Sequence, residues 1–288
     1  MLYSLLLNLF ERVVNLTLAP LGSRRRTIVR ADLSERLTPV RRIETDHGSL
    51  SFYCPSSLAV WRADTLLTKE PETIEWIDSF APGELLWDVG ANVGLYSLYA
   101  AARGTRVVAF EPSAWNYFVL NRNIEINRMA DRVSAMPVAV SDVSGVGFLV
   151  TPTTDPGSAL SEFRASESPS PWSGHLAHGA IGFSLDDYLE RFGTNVPNHL
   201  KVDVDGLESA IISGASRLLC EPRLRSVSIE IDAAQEDAVS VISDALTSVG
   251  FRLEWRRHGP EFETGPFSST YNYLFVRQPG TPSEAAPQ

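Results

Sequence analysis

The sequence predicts an α/β protein with a mostly parallel sheet of about seven strands and helices on both faces. Three observations lead there. The apolar run Leu85–Val89 enters a glycine turn, Gly90-Ala91-Asn92-Val93-Gly94; a helix follows from about Leu95, and a second apolar run from Arg106 ends at Glu111. From that unit to Val276, strand-like runs alternate with amphipathic segments at the pace of strands joined by crossover helices. A chain of 288 residues with 44% hydrophobic content is long enough to bury one substantial core.

The glycine turn sets the chemistry. Gly90 and Gly94 can adopt backbone angles closed to other residues and let a ligand approach the main chain. The helix that follows aims its free N–H groups at whatever lies over the turn. Glu111, about 20 residues on at the tip of the next strand, is placed to accept both hydroxyls of a ribose. The spacing Gly90-x-x-x-Gly94 is not the dinucleotide fingerprint, because Asn92 stands where the second fingerprint glycine would be, and no Lys-Ser/Thr pair follows as in a phosphate loop. Asp88 would repel phosphate but hold an ammonium. A ligand with a ribose, a cationic end and no phosphate fits these residues, which points to S-adenosylmethionine.

Taken in order, the chain opens on Met1 to Leu21, where Leu2, Leu5, Leu6, Leu9, Val13 and Leu16 share one helical face. Charges and asparagines interrupt the run, so it is too short in apolar residues to span a bilayer, and it lacks the marks of a signal peptide. It reads as an amphipathic helix packing on the domain or a partner; shallow membrane contact aided by Arg24, Arg25 and Arg26 is the lesser reading. Arg42–Thr45 and Leu50–Tyr53, split by His47-Gly48, form a hairpin. Glu70 to Ile77 is a helix entered through Pro71. Three regions follow on this reading: an extension over 1–69, a main domain over 70–278, and a disordered Pro/Ala-rich tail over 279–288.

Within the main domain the expected elements are a helix over Tyr96–Ala102, the strand into Glu111, and a helix opened by Pro112-Ser113. A strand over Val133–Val140 ends in Ser141-Asp142, and a helix over Ser184–Leu189 is capped by its serine. Leu200–Val204 is a strand, Leu207–Leu219 a helix, Leu224–Ile231 a strand, Val239–Val249 a helix, and Phe251–Trp255 and Tyr271–Val276 the last strands. Residues 151–183 break the rhythm, dense in Ser, Pro, Gly and Thr and holding Trp172, His175 and His178. A loop of that length inside a compact domain is read as a flap over an acceptor site, or else as inert surface.

Net charge of −10 argues against a nucleic-acid substrate. Cys54 and Cys220 are far apart and read as reduced thiols of a cytoplasmic protein.

The blocks Asp88-Val-Gly90-Ala-Asn92-Val-Gly94, Phe110-Glu111-Pro112, Ala139-Val140-Ser141-Asp142, Ser184-Leu185-Asp186 and Lys201-Val-Asp203-Val-Asp205-Gly206-Leu-Glu208 stand in this order. With them the chain resembles the FkbM-type S-adenosylmethionine-dependent methyltransferases. Asp205 departs from the glutamate usual in that family before the glycine. The resemblance implies a Rossmann-like class I methyltransferase fold and O-methylation of a hydroxyl on a sugar, glycan or secondary metabolite. It assigns the methionine half of the donor to Asp88, Gly90, Asn92 and Gly94, the ribose to Glu111, and the adenine to Ser141 and Asp142. Lys201, Asp203 and Glu208 are the catalytic candidates, with Asp203 or Glu208 as base and Lys201 holding one of them ionised; a structural ion pair is the competing explanation. His175 and His178 are weaker candidates. Asp203 with Glu230 or Asp232 would make an oxygen-rich Mg²⁺ site, a reading with no further support in the sequence. Two other functions compete: a catalytically silent scaffold with this fold, and a nicotinamide oxidoreductase, which the glycine spacing and Asp88 disfavour.

Overall fold

The computed structural model describes residues 2–165, 176–193 and 195–278. The predicted tail over 279–288, and Trp172 and His175 of the flap, lie outside them. The chain divides into two compact units, one running to Pro39 and the other starting at Val40. The division therefore falls well before residue 69, and the hairpin belongs with the sheet.

The first unit holds two helices, α1 (Leu2–Leu18) and α2 (Ser23–Leu37). Helix α1 was expected; α2 was not. Its residues are good helix formers, but it lacks the apolar stripe that would have disclosed it.

The second unit opens with the antiparallel hairpin β1 (Val40–Thr45) and β2 (Gly48–Tyr53). Helices α3 (Ser57–Asp64) and α4 (Pro71–Asp78) follow; α3 went unseen in the sequence, though Ser56 caps it by accepting from the Ala59 N–H. The remaining elements are β3 (Leu85–Val89), α5 (Leu95–Ala102), β4 (Arg106–Phe110), α6 (Ala114–Ile126), β5 (Val133–Met136), β6 (Ala139–Val140), β7 (Gly145–Thr151), β8 (Glu162–Arg164), β9 (Leu176–Phe183), α7 (Leu185–Phe192), β10 (His199–Val202), α8 (Glu208–Ser213), α9 (Ser216–Cys220), β11 (Ser226–Asp232), α10 (Glu236–Ser248), β12 (Phe251–Arg257) and β13 (Thr270–Arg277).

Seven strands form the central sheet in the order β12-β13-β11-β10-β3-β4-β5, parallel except for β13. The order reverses at β3 and β10, the position where open α/β sheets bind ligands beyond the strands' carboxyl ends. Alternation in the strands sorts the core. Leu85, Trp87, Val89, Leu200, Val202, Ile229 and Ile231 pack against α7 to α10. On the opposite face Leu86, Val107 and Ala109 pack with α3 to α6 and β2. The result is the three-layered, Rossmann-like class I architecture expected from the sequence.

Several expected elements are redrawn. The strand over Val133–Val140 divides at Pro137, which has no N–H for a ladder bond; β5 completes the main sheet while β6 joins a second one, ordered β6-β9-β7-β8. Much of the flap is therefore sheet: β7 pairs antiparallel with both β8 and β9. The helix over Leu207–Leu219 breaks at Gly214, where a Cβ would meet the Ser141 carbonyl oxygen at 2.7 Å. The strand over Leu200–Val204 stops at Val202, leaving Asp203 on the loop beyond it.

Leu200 is fully buried at the centre of the sheet. Leu200→Ala is expected to cost about 2–5 kcal/mol, read as a lowered urea midpoint at unchanged slope.

Candidate active site

The turn after β3 is built from backbone that only certain residues allow. Gly90 has φ +85°, and a Cβ there would lie 1.9 Å from the carbonyl oxygen of Asp203. The ends of β3 and β10 touch at this point, and any side chain would separate them. Asn92 takes φ +50°, a left-handed angle that asparagine tolerates. Gly94 closes the turn, its N–H donating to the Ala91 carbonyl at 2.8 Å with φ +88°, and its missing Cβ makes room for Leu120 of α6.

Glu111 is buried at the tip of β4, and its carboxylate ties the turn to the next helix. One oxygen accepts the Asn92 N–H at 2.7 Å and the other the Ser113 N–H at 2.8 Å. Burial pushes its pKa up to about 7 against the pull of those donors. Asn92 and Asn116 both donate side-chain N–H groups to the Ser158 carbonyl, at 2.8 and 3.1 Å, so part of the flap is fastened over the turn.

A small cavity of about 60 Å³ lies over this arrangement, lined by Gly90, Asn92, Glu111, Val138, Val140 and Ser158 among others. It opens beside a larger cleft of about 660 Å³, within the roughly 300–1,000 Å³ of small-ligand sites, that shares Gly90, Asn92, Ser158, Asp203 and Asp205 with it. The cleft's outer wall carries Trp61, Arg62, Phe262 and Phe267.

Beneath the turn runs a buried seam of charge. Parallel registration sets Lys201 of β10 beside Asp88 of β3 on one side and Ser228 of β11 on the other. The Lys201 ammonium donates to Asp203 at 2.6 Å, and Lys69 donates to Glu70 at 2.5 Å. Burial would drive Lys201 neutral, but Asp203, Glu70 and Asp88 outweigh it and hold the ammonium. Burial would also raise Asp203, yet Lys201 and Lys69 keep its carboxyl at about 2. Asp88 is buried with one oxygen accepting from Ser97 at 2.5 Å and the other, Oδ1, without a partner. A buried carboxylate oxygen left open costs stability unless a ligand fills it.

Asp88, Gly90, Asn92, Glu111, Lys201 and Asp203 thus come together. Ser141 and Asp142 do not join them: they follow β6, bond to each other at 2.9 Å and pack against Gly214, and Val138, Ala139 and Val140 line the cavity in their stead. Glu208 also stands outside, its Oε1 accepting the Gly206 N–H at 2.9 Å. His178 meets Trp115 edge-on at 5.2 Å and lines neither this cavity nor the cleft.

The sequence reading missed Lys69, Arg62, Asn116 and Ser158, and it took Glu70 for an ordinary helix start. Glu230 is the residue it half found. Glu70, Asp203 and Glu230 offer oxygens within 4.8 Å of one another, whereas Asp232 turns away to accept the Ala234 N–H. Lys69 and Lys201 already neutralise two of those three carboxylates, so the donor set is charge-compensated by ammonium groups rather than left open for a divalent cation.

Comparison with known proteins bears on this geometry. The model of the methyltransferase FkbM domain matches residues 88–253, more than half the chain. The chain belongs to the FkbM methyltransferase family. The chain is 24% identical over 190 residues to the hexuronic acid methyltransferase AglP of Haloferax volcanii, covering 66% of this chain and 74% of that one. It is 28% identical over 189 residues to the 31-O-demethyl-FK506 methyltransferase FkbM of Streptomyces tacrolimicus, covering 56% and 71%. The crystal structure of a methyltransferase FkbM from Methylobacillus flagellatus superimposes with a TM-score of 0.50 at 16% identity, over 77% of this chain and 55% of the other. The match with that structure reflects the fold alone.

Removing the seam's cation should be costly. Lys201→Met leaves Lys69, among the described residues, as the one remaining lysine beside Asp203, Glu70 and Asp88 and is expected to destabilise the FkbM domain by about 3–5 kcal/mol, measured by urea unfolding.

Proposed function

We propose that this methyltransferase uses S-adenosylmethionine to methylate a hydroxyl oxygen of a sugar, glycan or secondary metabolite. The observation that carries the reading is the pairing of Glu111 with the unfilled Oδ1 of Asp88 across one glycine turn, with an open cleft at its side. Each Glu111 oxygen keeps a lone pair free for a ribose hydroxyl, and Asp88 Oδ1 is the acceptor an ammonium needs. The bare backbone at Gly90 admits the methionine half. The donor supplies a methyl group already activated by a sulfonium.

The chain's own task is then alignment and removal of one proton. Gly90, Asn92, Asp203 and Asp205 form the wall common to cavity and cleft, which brings acceptor oxygen and methyl carbon together. Asp203 and Glu208 were the candidate bases. Lys201 holds Asp203 so far down that it is a weak proton acceptor at neutral pH, and Glu208 faces neither cavity. Glu230 lines the cleft and accepts no hydrogen bond among the described residues; burial, with Asp203 and Glu70 close by, raises its pKa well above the ordinary carboxylate value. Glu230 therefore takes the hydroxyl proton, and Lys201 and Asp203 position the turn. This assignment needs no metal.

Two features support the acceptor class. Trp61, Phe262 and Phe267 present aromatic faces of the kind that stack on sugar rings or apolar scaffolds. The names of two relatives state a hexuronic acid and an O-demethyl compound as their acceptors.

Calorimetric titration with S-adenosylhomocysteine tests the donor site. Affinity is expected to rise with pH through about 7, because ionised Glu111 accepts both hydroxyls and its folded pKa lies there. Glu111→Ala should abolish micromolar binding, and pH-independent binding in the wild type would exclude the ribose role. For the proton, transfer of labelled methyl to a panel of hexuronic acids and glycosides is the measure. Glu230→Gln should lower turnover by roughly 10²–10⁴ with donor binding unchanged. Turnover insensitive to Glu230→Gln but lost in Asp203→Asn would return the base to Asp203.

A further inference from the structure

The first unit takes no part in the chemistry above, and its surface is unlike the rest of the chain. Along α1, Leu5, Leu6, Leu9, Phe10, Val13 and Leu16 are all more than half exposed, Leu16 at 73%. Large apolar side chains so closely grouped on one helix mark an interaction surface. The polar residues of α1, among them Ser4, Asn8, Glu11 and Asn15, make a narrow stripe at helical spacing, and α2 is tied to the end of α1 and the turn after it: Arg30 bonds the Asn15 side chain, and Arg26 donates to the Ala19 and Leu21 carbonyls at 3.1 and 3.2 Å. Within this unit nothing among the described residues covers the apolar side of α1.

Charge identifies what would cover it. Residues 1–39 carry six arginines against three acids in a chain whose net charge is −10. Arg24 and Arg25, in the first turn of α2, are exposed and have no acidic partner among the described residues. Wide apolar exposure beside a cationic cluster suits a surface that is apolar below and anionic above. A second copy of the same unit would bring arginine against arginine. No helix among the described residues is long and apolar enough to cross a membrane, which fits attachment in the plane of the interface.

We propose that α1 and α2 form an interfacial anchor that binds an anionic phospholipid surface, with the apolar side of α1 in the acyl boundary and Arg24 and Arg25 among the headgroups. The chain would then meet its acceptor at a membrane surface. The anchor is independent of the donor site: it stands or falls whatever the methyl acceptor is.

Co-sedimentation of the full chain with vesicles tests it, comparing phosphatidylcholine alone with phosphatidylcholine containing about 30 mol% phosphatidylglycerol. The wild type is expected to pellet with the anionic vesicles and to be released by salt. Each basic residue near such a surface contributes roughly fivefold in partition, so Arg24→Glu/Arg25→Glu should weaken binding at least about 25-fold. Leu6→Glu/Leu9→Glu should abolish it while leaving the urea transition of the second unit unchanged, which separates lost attachment from lost folding. Three results would overturn the proposal. The wild type could stay in the supernatant at low salt, or the arginine variant could bind as well as wild type. Light scattering could instead show a dimer that Leu6→Glu/Leu9→Glu splits, making the apolar side a self-interface.

Discussion

The buried ammonium of Lys201 is the interaction on which the site depends. A lysine 2% exposed in the middle of a parallel sheet would cost several kcal/mol if unpaired. Here it stands among Asp88, Asp203 and Glu70, each from a different part of the chain, and it is what allows those carboxylates to be buried together. Asp88 comes from β3, Asp203 from the loop after β10 and Glu70 from the approach to α4. The one charge therefore holds the two strands of the switch point and the helix above them in a fixed relation. The Lys201–Asp203 pair fixes where the polar atoms around the turn lie.

That constraint explains why acids so close together behave differently. Glu230 has no lysine at bonding distance, and burial raises it; Asp203, bonded to Lys201, is driven the other way. Two carboxylates whose environments separate their proton affinities can divide the roles of base and positioning group. The contact between Gly90 and the Asp203 carbonyl has a similar consequence. It sets one wall against both cavity and cleft, so that a change in the turn is felt in the cleft.

What could be read from the sequence was what local spacing controls. The turn from Gly90 to Gly94, the acid Glu111 at the next strand's tip and the alternation of Lys201 with apolar neighbours all lie within a few residues of the elements that position them. The residues that escaped notice are brought in by tertiary contact. Lys69 and Arg62 precede the central strand, and Ser158 reaches the turn through two asparagines that belong to other elements. The second sheet was hidden for a different reason. Gly145, Gly147, Gly179 and Gly182 dilute the strand signal of β7 and β9, yet two of them are required: a Cβ at Gly147 or Gly182 would strike the buried ring of Phe163. Pro137 marked the division of β5 from β6 plainly, and the mistake there was to run a strand through it.

The central claim is that the turn after β3, Asp88 and Glu111 form one binding surface for a ribose and an ammonium. A crystal structure of the chain soaked with S-adenosylhomocysteine tests it most directly. Both ribose hydroxyls should lie within hydrogen-bonding distance of Glu111, and the amino group should meet Asp88 Oδ1, directly or through one water, with Gly90 against the ligand. A ligand bound elsewhere, or one whose ribose avoids Glu111 while Asp88 Oδ1 stays unfilled, would contradict it.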